Sequence, residues 1–190
     1  MIVTPWGYSV DGLTPILSVE EFRELFPNMA STDEQIASTL GAVSESVRDY
    51  CGWHVSPNLE CSYIGEGEGR MLLLPSMGVT SIDSLSVNGT ETQDYEWRSS
   101  GLLRLKHDRF PDSWRSVVCN YHAGFASESI GQIVAQIAAN SLVASPGVSD
   151  ERAGNVSISY NRTGDGITGG VSILDRDYAQ LSFYRLARAW

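Results

Sequence analysis

The sequence predicts an α+β fold: a helical bundle with an inserted antiparallel β-hairpin or small sheet and a C-terminal helical extension. Three observations predict it. Two capping boxes each precede an apolar pattern of helical period within residues 18–52; the period drops to two between residues 59 and 125, where Gly, Pro and Asn divide short runs; and a small-residue helix follows at 128–144. Strands gathered in one block, apart from the helices, indicate α+β rather than alternating units.

Residues 1–17, with Pro5, Gly7, Gly12 and Pro15, read as an irregular arm. "SVEEFRELF" forms a short helix, because Ser18 can cap it, Glu21 stands at the reciprocal position and Pro27 stops it. In "STDEQIASTLGAVSESVRDYCGW", Thr32 and Gln35 make the second capping box. Ile36, Leu40, Val43, Val47 and Tyr50 fall on one face, and Asp33 and Glu34 lie at the positive end of the helix dipole. Gly52 is placed to terminate this helix. The β block contains "LECSYIG", "GRMLLLP", "SIDSLSVNG", "YEWRS", "GLLRLKH" and "RSVVCNYHAGF". Within it, "VNGTE" is a turn signal because Asn and Gly tolerate positive φ, and "GEGEG" reads as a flexible hairpin turn. "SESIGQIVAQIAANSLVAS" carries an apolar stripe of Ile130, Ile133, Val134, Ile137 and Ala138, among small residues that permit close packing. The tail holds a strand, "NVSISY", a Gly-rich loop, "RTGDGITGG", and a last helix with Leu174, Tyr178, Leu181 and Tyr184 on one face.

At 190 residues and 42% apolar composition, the chain can bury a sizeable core. Its net charge of -10, with Lys106 the one lysine, argues against general nucleic-acid binding, which needs clustered cations to neutralise phosphates. Cys51, Cys61 and Cys119 lack CxxC spacing, so neither a zinc site nor a disulfide framework is expected. They read as small apolar residues in a reducing compartment. No apolar run is long enough to span a bilayer.

No residue set for catalysis, a cofactor or a metal emerges. His107 and Asp108 are neighbours and point to opposite faces of a strand. Cys119 and His122 point apart for the same reason, and His54, His107 and His122 lack ligand spacing. A hydrolase using Cys119 or His107 is therefore disfavoured. Trp53, Trp97 and Trp114 are anchors of a core or interface, or else line a groove in a carbohydrate- or ligand-binding β module. Trp190, an aromatic last residue, suggests docking on a partner.

Four stretches resemble the phage head-tail connector (adaptor) family: the helix exit "VRDYCGWHV", the run "LLLPSMGVTSIDSLSVNGTETQDYEW", the run "SSGLLRLKHDRFPDSWRSVVCNYHAGF", and the helix from 128 to 144. They cover residues 18 to 145. The resemblance implies a connector-like domain over 1–145 and an extension over 146–190 whose closing "YRLARAW" is only loosely similar to the family's Tyr-Arg-Leu run. It implies no enzyme and no cofactor. Its other implications are a homo-oligomeric, twelvefold ring, made in the bacterial host cytoplasm and placed in the neck of a virion. That ring contacts the portal protein and a tail or neck completion protein, and DNA passes its channel without specific binding. Residues 99–125 would form a hairpin with a bend anchored by Trp114. An amphipathic helix this short is marginal alone, so residues 171–190 are expected to dock on a neighbouring subunit or the portal through Leu174, Tyr178, Leu181, Tyr184 and Trp190.

Overall fold

A computed structural model describes residues 1–143, 150–153, 156–159, 171 and 173–186. The fold is α+β, and the chain divides into two compact units that interleave in sequence. The first comprises Met1–Thr14, Arg48–Ser129 and Tyr184–Trp190; the second comprises Pro15–Val47 and Ile130–Phe183.

The first unit holds the strands. These are β1 (Ile2–Val3), β2 (Tyr8–Val10), β3 (Leu59–Gly65), β4 (Met71–Leu73), β5 (Val79–Val87), β6 (Thr90–Glu91), β7 (Tyr95–Trp97), β8 (Leu102–Leu105) and β9 (Val117–Ala123). They form a six-stranded sheet ordered β1-β2-β3-β9-β5-β6 and a three-stranded sheet ordered β4-β8-β7, with every pairing antiparallel. Alternation sets the faces: β9 reads buried at Val117, Cys119, Tyr121 and Ala123, and its partners Cys61 and Leu85 are buried with it. From the smaller sheet, Leu72, Leu103 and Leu105 add to this core, and Ser76, just past β4, bonds Tyr121 Oη at 2.6 Å.

The arm read as irregular contributes β1 and β2. Tyr8 and Val10 alternate inward, and β2 pairs with β3 from Tyr8↔Tyr63 to Val10↔Cys61. Prolines and glycines on either side hid these short strands. The turn at Asn88-Gly89 is as expected, with φ of 50° and 77° joining β5 to β6. The turn read in "GEGEG" forms at its end: Glu68 and Met71 pair antiparallel, exchanging N–H···O bonds of 2.8 and 2.9 Å around Gly69, whose φ is +59°, although β3 and β4 themselves lie in different sheets. Its other glycines answer separate demands: a Cβ on Gly65 would meet the Tyr63 ring and a Cβ on Gly67 would meet the Phe110 ring. One other expectation fails: residues 99–125 are not one hairpin, since β8 and β9 lie in different sheets, and their connection is held by Phe110, not Trp114. Phe110 is buried and its N–H donates to the Gly69 carbonyl at 2.7 Å.

The second unit is built on helices. α1 is Val19–Leu25 and α2 is Asp33–Cys51, whose last turn belongs to the first unit. α3 is Ser127–Val143, whose first turn likewise does, and α4 is Asp175–Leu181, followed by a 3-10 turn, Ser182–Tyr184. Strands β10 (Asp150–Ala153) and β11 (Val156–Ser159) pair antiparallel. Both capping boxes form. Ser18 Oγ accepts from Glu21 N–H at 3.2 Å while Glu21 takes Ser18 N–H at 2.8 Å, and Thr32 and Gln35 exchange bonds of 3.3 and 2.9 Å. Ile36, Leu40, Val43 and Val47 are buried, and Tyr50 is half-buried. Ser44 joins their stripe, donating to the Leu40 carbonyl and accepting from Ile16 N–H. The small residues of α3 allow close approach, with Leu17 against Gly131. Arg23 ties α1 to the start of α2 through the Met29 and Ser31 carbonyls and Asp33. The Gly-rich stretch 161–170 and Trp190 lie outside the described residues.

Candidate functional site

The expected docking face of the C-terminal segment is only in part available. Leu181 is fully buried and Leu174 half-buried within the chain. Tyr184 belongs to the first unit: its ring meets Phe125 edge-on at 5.3 Å, and its carbonyl accepts the Trp53 indole N–H at 2.6 Å. Leu186 N–H then donates to the Cys51 carbonyl, and Arg185 stands over the Tyr50 ring. Leu181 and Tyr184 therefore serve this chain's own packing, because each apolar group finds cover within it. Among the described residues of the segment, Phe183 is 81% exposed and Tyr178 38%. Phe183 escaped the sequence reading because it falls off the helical face.

The three tryptophans differ in setting, with Trp97 on β7 37% exposed. Trp53 is wholly buried, between His54 and Phe125. Trp114 is 87% exposed, on the loop that Phe110 pins.

The histidines sit in three settings. His107 bonds Asp94, not its neighbour Asp108, through Nδ1 at 2.9 Å. His122 Nδ1 lies 2.9 Å from Asp83 Oδ2 and 3.3 Å from Ser81 Oγ, while Ser81 donates to Asp83 at 3.0 Å. This has the residue types of a triad without its wiring. In a triad the serine meets the ring nitrogen that the carboxylate leaves free; here both meet Nδ1, and the hydroxyl proton points at the carboxylate.

His54 is buried, and sequence reasoning missed what it does. Its Nε2 faces the Ala123 carbonyl at 2.9 Å, which requires a proton there, so Nδ1 accepts from Tyr8 Oη at 2.7 Å. Burial, with the Arg48 charge acting in the same direction, lowers its pKa to about 4 despite the Ala123 bond. Burial raises Tyr8 and Tyr121 as well. Arg48, also buried, donates to the carbonyls of His54 (2.9 Å), Ser56 (2.8 Å) and Thr14 (2.6 Å). Between those first two carbonyls Val55 has a φ of +62°, and Ser56 N–H reaches back to the His54 carbonyl at 2.8 Å, a γ-turn of the strained hand. The guanidinium is the clamp that holds it. The available sequence signal was an arginine beside the buried stripe of α2. Cys51, Cys61 and Cys119 are buried and form no disulfide, each pushed up to about 12 by that burial. They are therefore thiols without nucleophilic character at neutral pH.

Among the described residues, no cluster of His, Cys, Asp or Glu could hold a metal ion, and no helix is long and apolar enough to cross a membrane. The groups on display are apolar and charged surfaces.

No family model matches the sequence, and no curated protein matches it. Solved structures do. A chain from the neck of a native gene transfer agent particle, computed with twelvefold symmetry, superposes with a TM-score of 0.60 at 16% identity over 96% of this chain and 97% of that one. A chain from the neck of an empty particle, computed with sixfold symmetry, gives 0.59 at the same identity and coverage. A chain from the virion of the native particle likewise gives 0.59. At this identity the likeness establishes a shared fold, and it runs nearly end to end in both chains.

Proposed function

We propose that this protein is a structural component of the neck of a tailed-phage-like particle, a head-tail adaptor that forms a homo-oligomeric ring in the virion. The observation that supports this most is the extent of the fold likeness. Chains placed in a neck computed with twelvefold symmetry match over 96% of this chain, so the shared fold includes the two interleaved units and not one common module. The finer reading is a twelvefold ring beneath the portal, passed to a tail or neck completion protein, with a channel that DNA traverses without specific contact. The charge of -10 suits such a channel, since phosphate is repelled rather than held. Among the described residues of the C-terminal segment, Phe183 is the most exposed apolar group and is available to a neighbouring subunit or the portal.

Electron microscopy of the purified protein, alone and mixed with the portal of the same particle, tests this. Rings with a central channel, alone or seated on the portal, are expected. A protein that stays monomeric and ignores the portal under both conditions overturns the reading.

A further inference from the structure

The outer face of the three-stranded sheet is unusual for so acidic a chain. Met71, Arg104 and Glu96 lie in one cross-strand row, Leu73 and Leu102 in the next, and all point away from the buried Leu72, Leu103 and Leu105. Met71 and Leu73 are each 54% exposed. Arg98 is hydrogen-bonded opposite Leu102, and Lys106 extends β8 opposite Asp94, whose carboxylate is taken by His107. The face thus joins two exposed apolar side chains to three cations, with two carboxylates in its rows, Glu96 and the His107-bonded Asp94. The only lysine of the sequence is among those cations.

The opposite chemistry stands on α1. Its outward positions are Glu20, Glu21, Glu24 and Leu25, three carboxylates around an apolar side chain that is 46% exposed. The nearest base, Arg23, is committed to Asp33 and two carbonyls, so it does not neutralise them.

We propose that the outer face of the β4-β8-β7 sheet of one copy receives the acidic face of α1 from a second copy. This rests on the ring reading above and names its subunit contact. A ring requires a heterologous contact between two different faces of the same chain. Here two such faces have opposite charge and an apolar centre each. Leu25 would seat against Met71 and Leu73, and Glu20 and Glu24 would meet Arg98, Arg104 and Lys106. Other partners would need to supply the acidic face themselves; a second copy already carries it.

A charge swap tests the contact, read by sedimentation velocity of the full chain. Arg104→Glu with Lys106→Glu, and separately Glu20→Lys with Glu24→Lys, should each weaken self-association by about 10- to 100-fold, because like charges are then apposed. Mixing the two variants should restore assembly of mixed rings. Raising salt to about 0.5 M should weaken the wild type, since it screens exposed charges beyond a few ångströms. All four positions are exposed, and circular dichroism checks that each variant folds. An assembling wild type that is indifferent to both reversals, or variants whose mixture stays monomeric, overturns the contact and leaves the ring reading standing. A wild type that is monomeric with and without portal overturns both.

Discussion

His54 shows how one buried side chain can make stability depend on pH. Its pKa falls from 6.5 to about 4 on folding, so the unfolded chain takes up a proton that the native chain refuses. The contribution is fully present above pH 6.5, declines as pH drops through that window, and is gone below the folded value. The total is of order 3 kcal/mol. Urea unfolding between pH 7 and pH 4 should show this loss, and His54→Gln should flatten that part of the profile. An unchanged slope in the variant assigns the dependence elsewhere. None of this was legible in the sequence, where His54 was weighed only as a metal ligand. Its role depends on Tyr8 and Ala123, which are distant along the chain and meet only when β2, β3 and β9 have paired. Arg48 was hidden likewise, because an arginine on a helix is ordinarily solvated.

At the scale of elements, what could be read locally was read. Both capping boxes, the stripe of α2 and the Asn88-Gly89 turn depend on residues within a few positions of each other, so the sequence states them directly. The failure is of pairing. The "GLLRL" to "SVVCNYHAG" run looks like a hairpin because consecutive strands usually pair, whereas here the connection leaves one sheet for the other. The "GEGEG" turn does close, between Glu68 and Met71, but the reading of it did not foresee what Gly67 does. Gly67 exists so that Phe110 can lie against its backbone and pin the loop that carries Trp114. Gly67→Ala should therefore displace Phe110 and destabilise the protein by about 1–3 kcal/mol. In a Phe110→Ala background the same change should cost much less. Additive losses in this double-mutant cycle would show that Gly67 is needed for something other than Phe110.

The whole molecule combines what the sequence predicted, an α+β fold, with a strand order that it could not predict. The helices were expected as a bundle and the β block as an insertion. The sheet is larger than a hairpin, because it also recruits β1 and β2 from the first ten residues. Of the expected docking residues, Leu181 is buried and Tyr184 packs on Phe125 within the chain, because periodicity alone cannot tell a face covered by a partner from one covered by the chain itself. The strand order also has a consequence in time. β9 lies between β3 and β5, and it is the last strand of the large sheet to leave the ribosome. Until Ala123 has emerged, β3 and β5 have no partner between them, and the faces that later bury Cys61 and Leu85 remain wet. The β1-β2-β3 and β5-β6 pieces can pair early, but they cannot be joined into one sheet until β9 arrives between them, in one late event. A fragment ending at Pro111 should accordingly show weaker β-sheet signal per residue by circular dichroism than the full chain and expose its apolar surface to a hydrophobic dye. Full-strength β signal with no dye binding in that fragment would mean that the large sheet's core can be covered without its central strand.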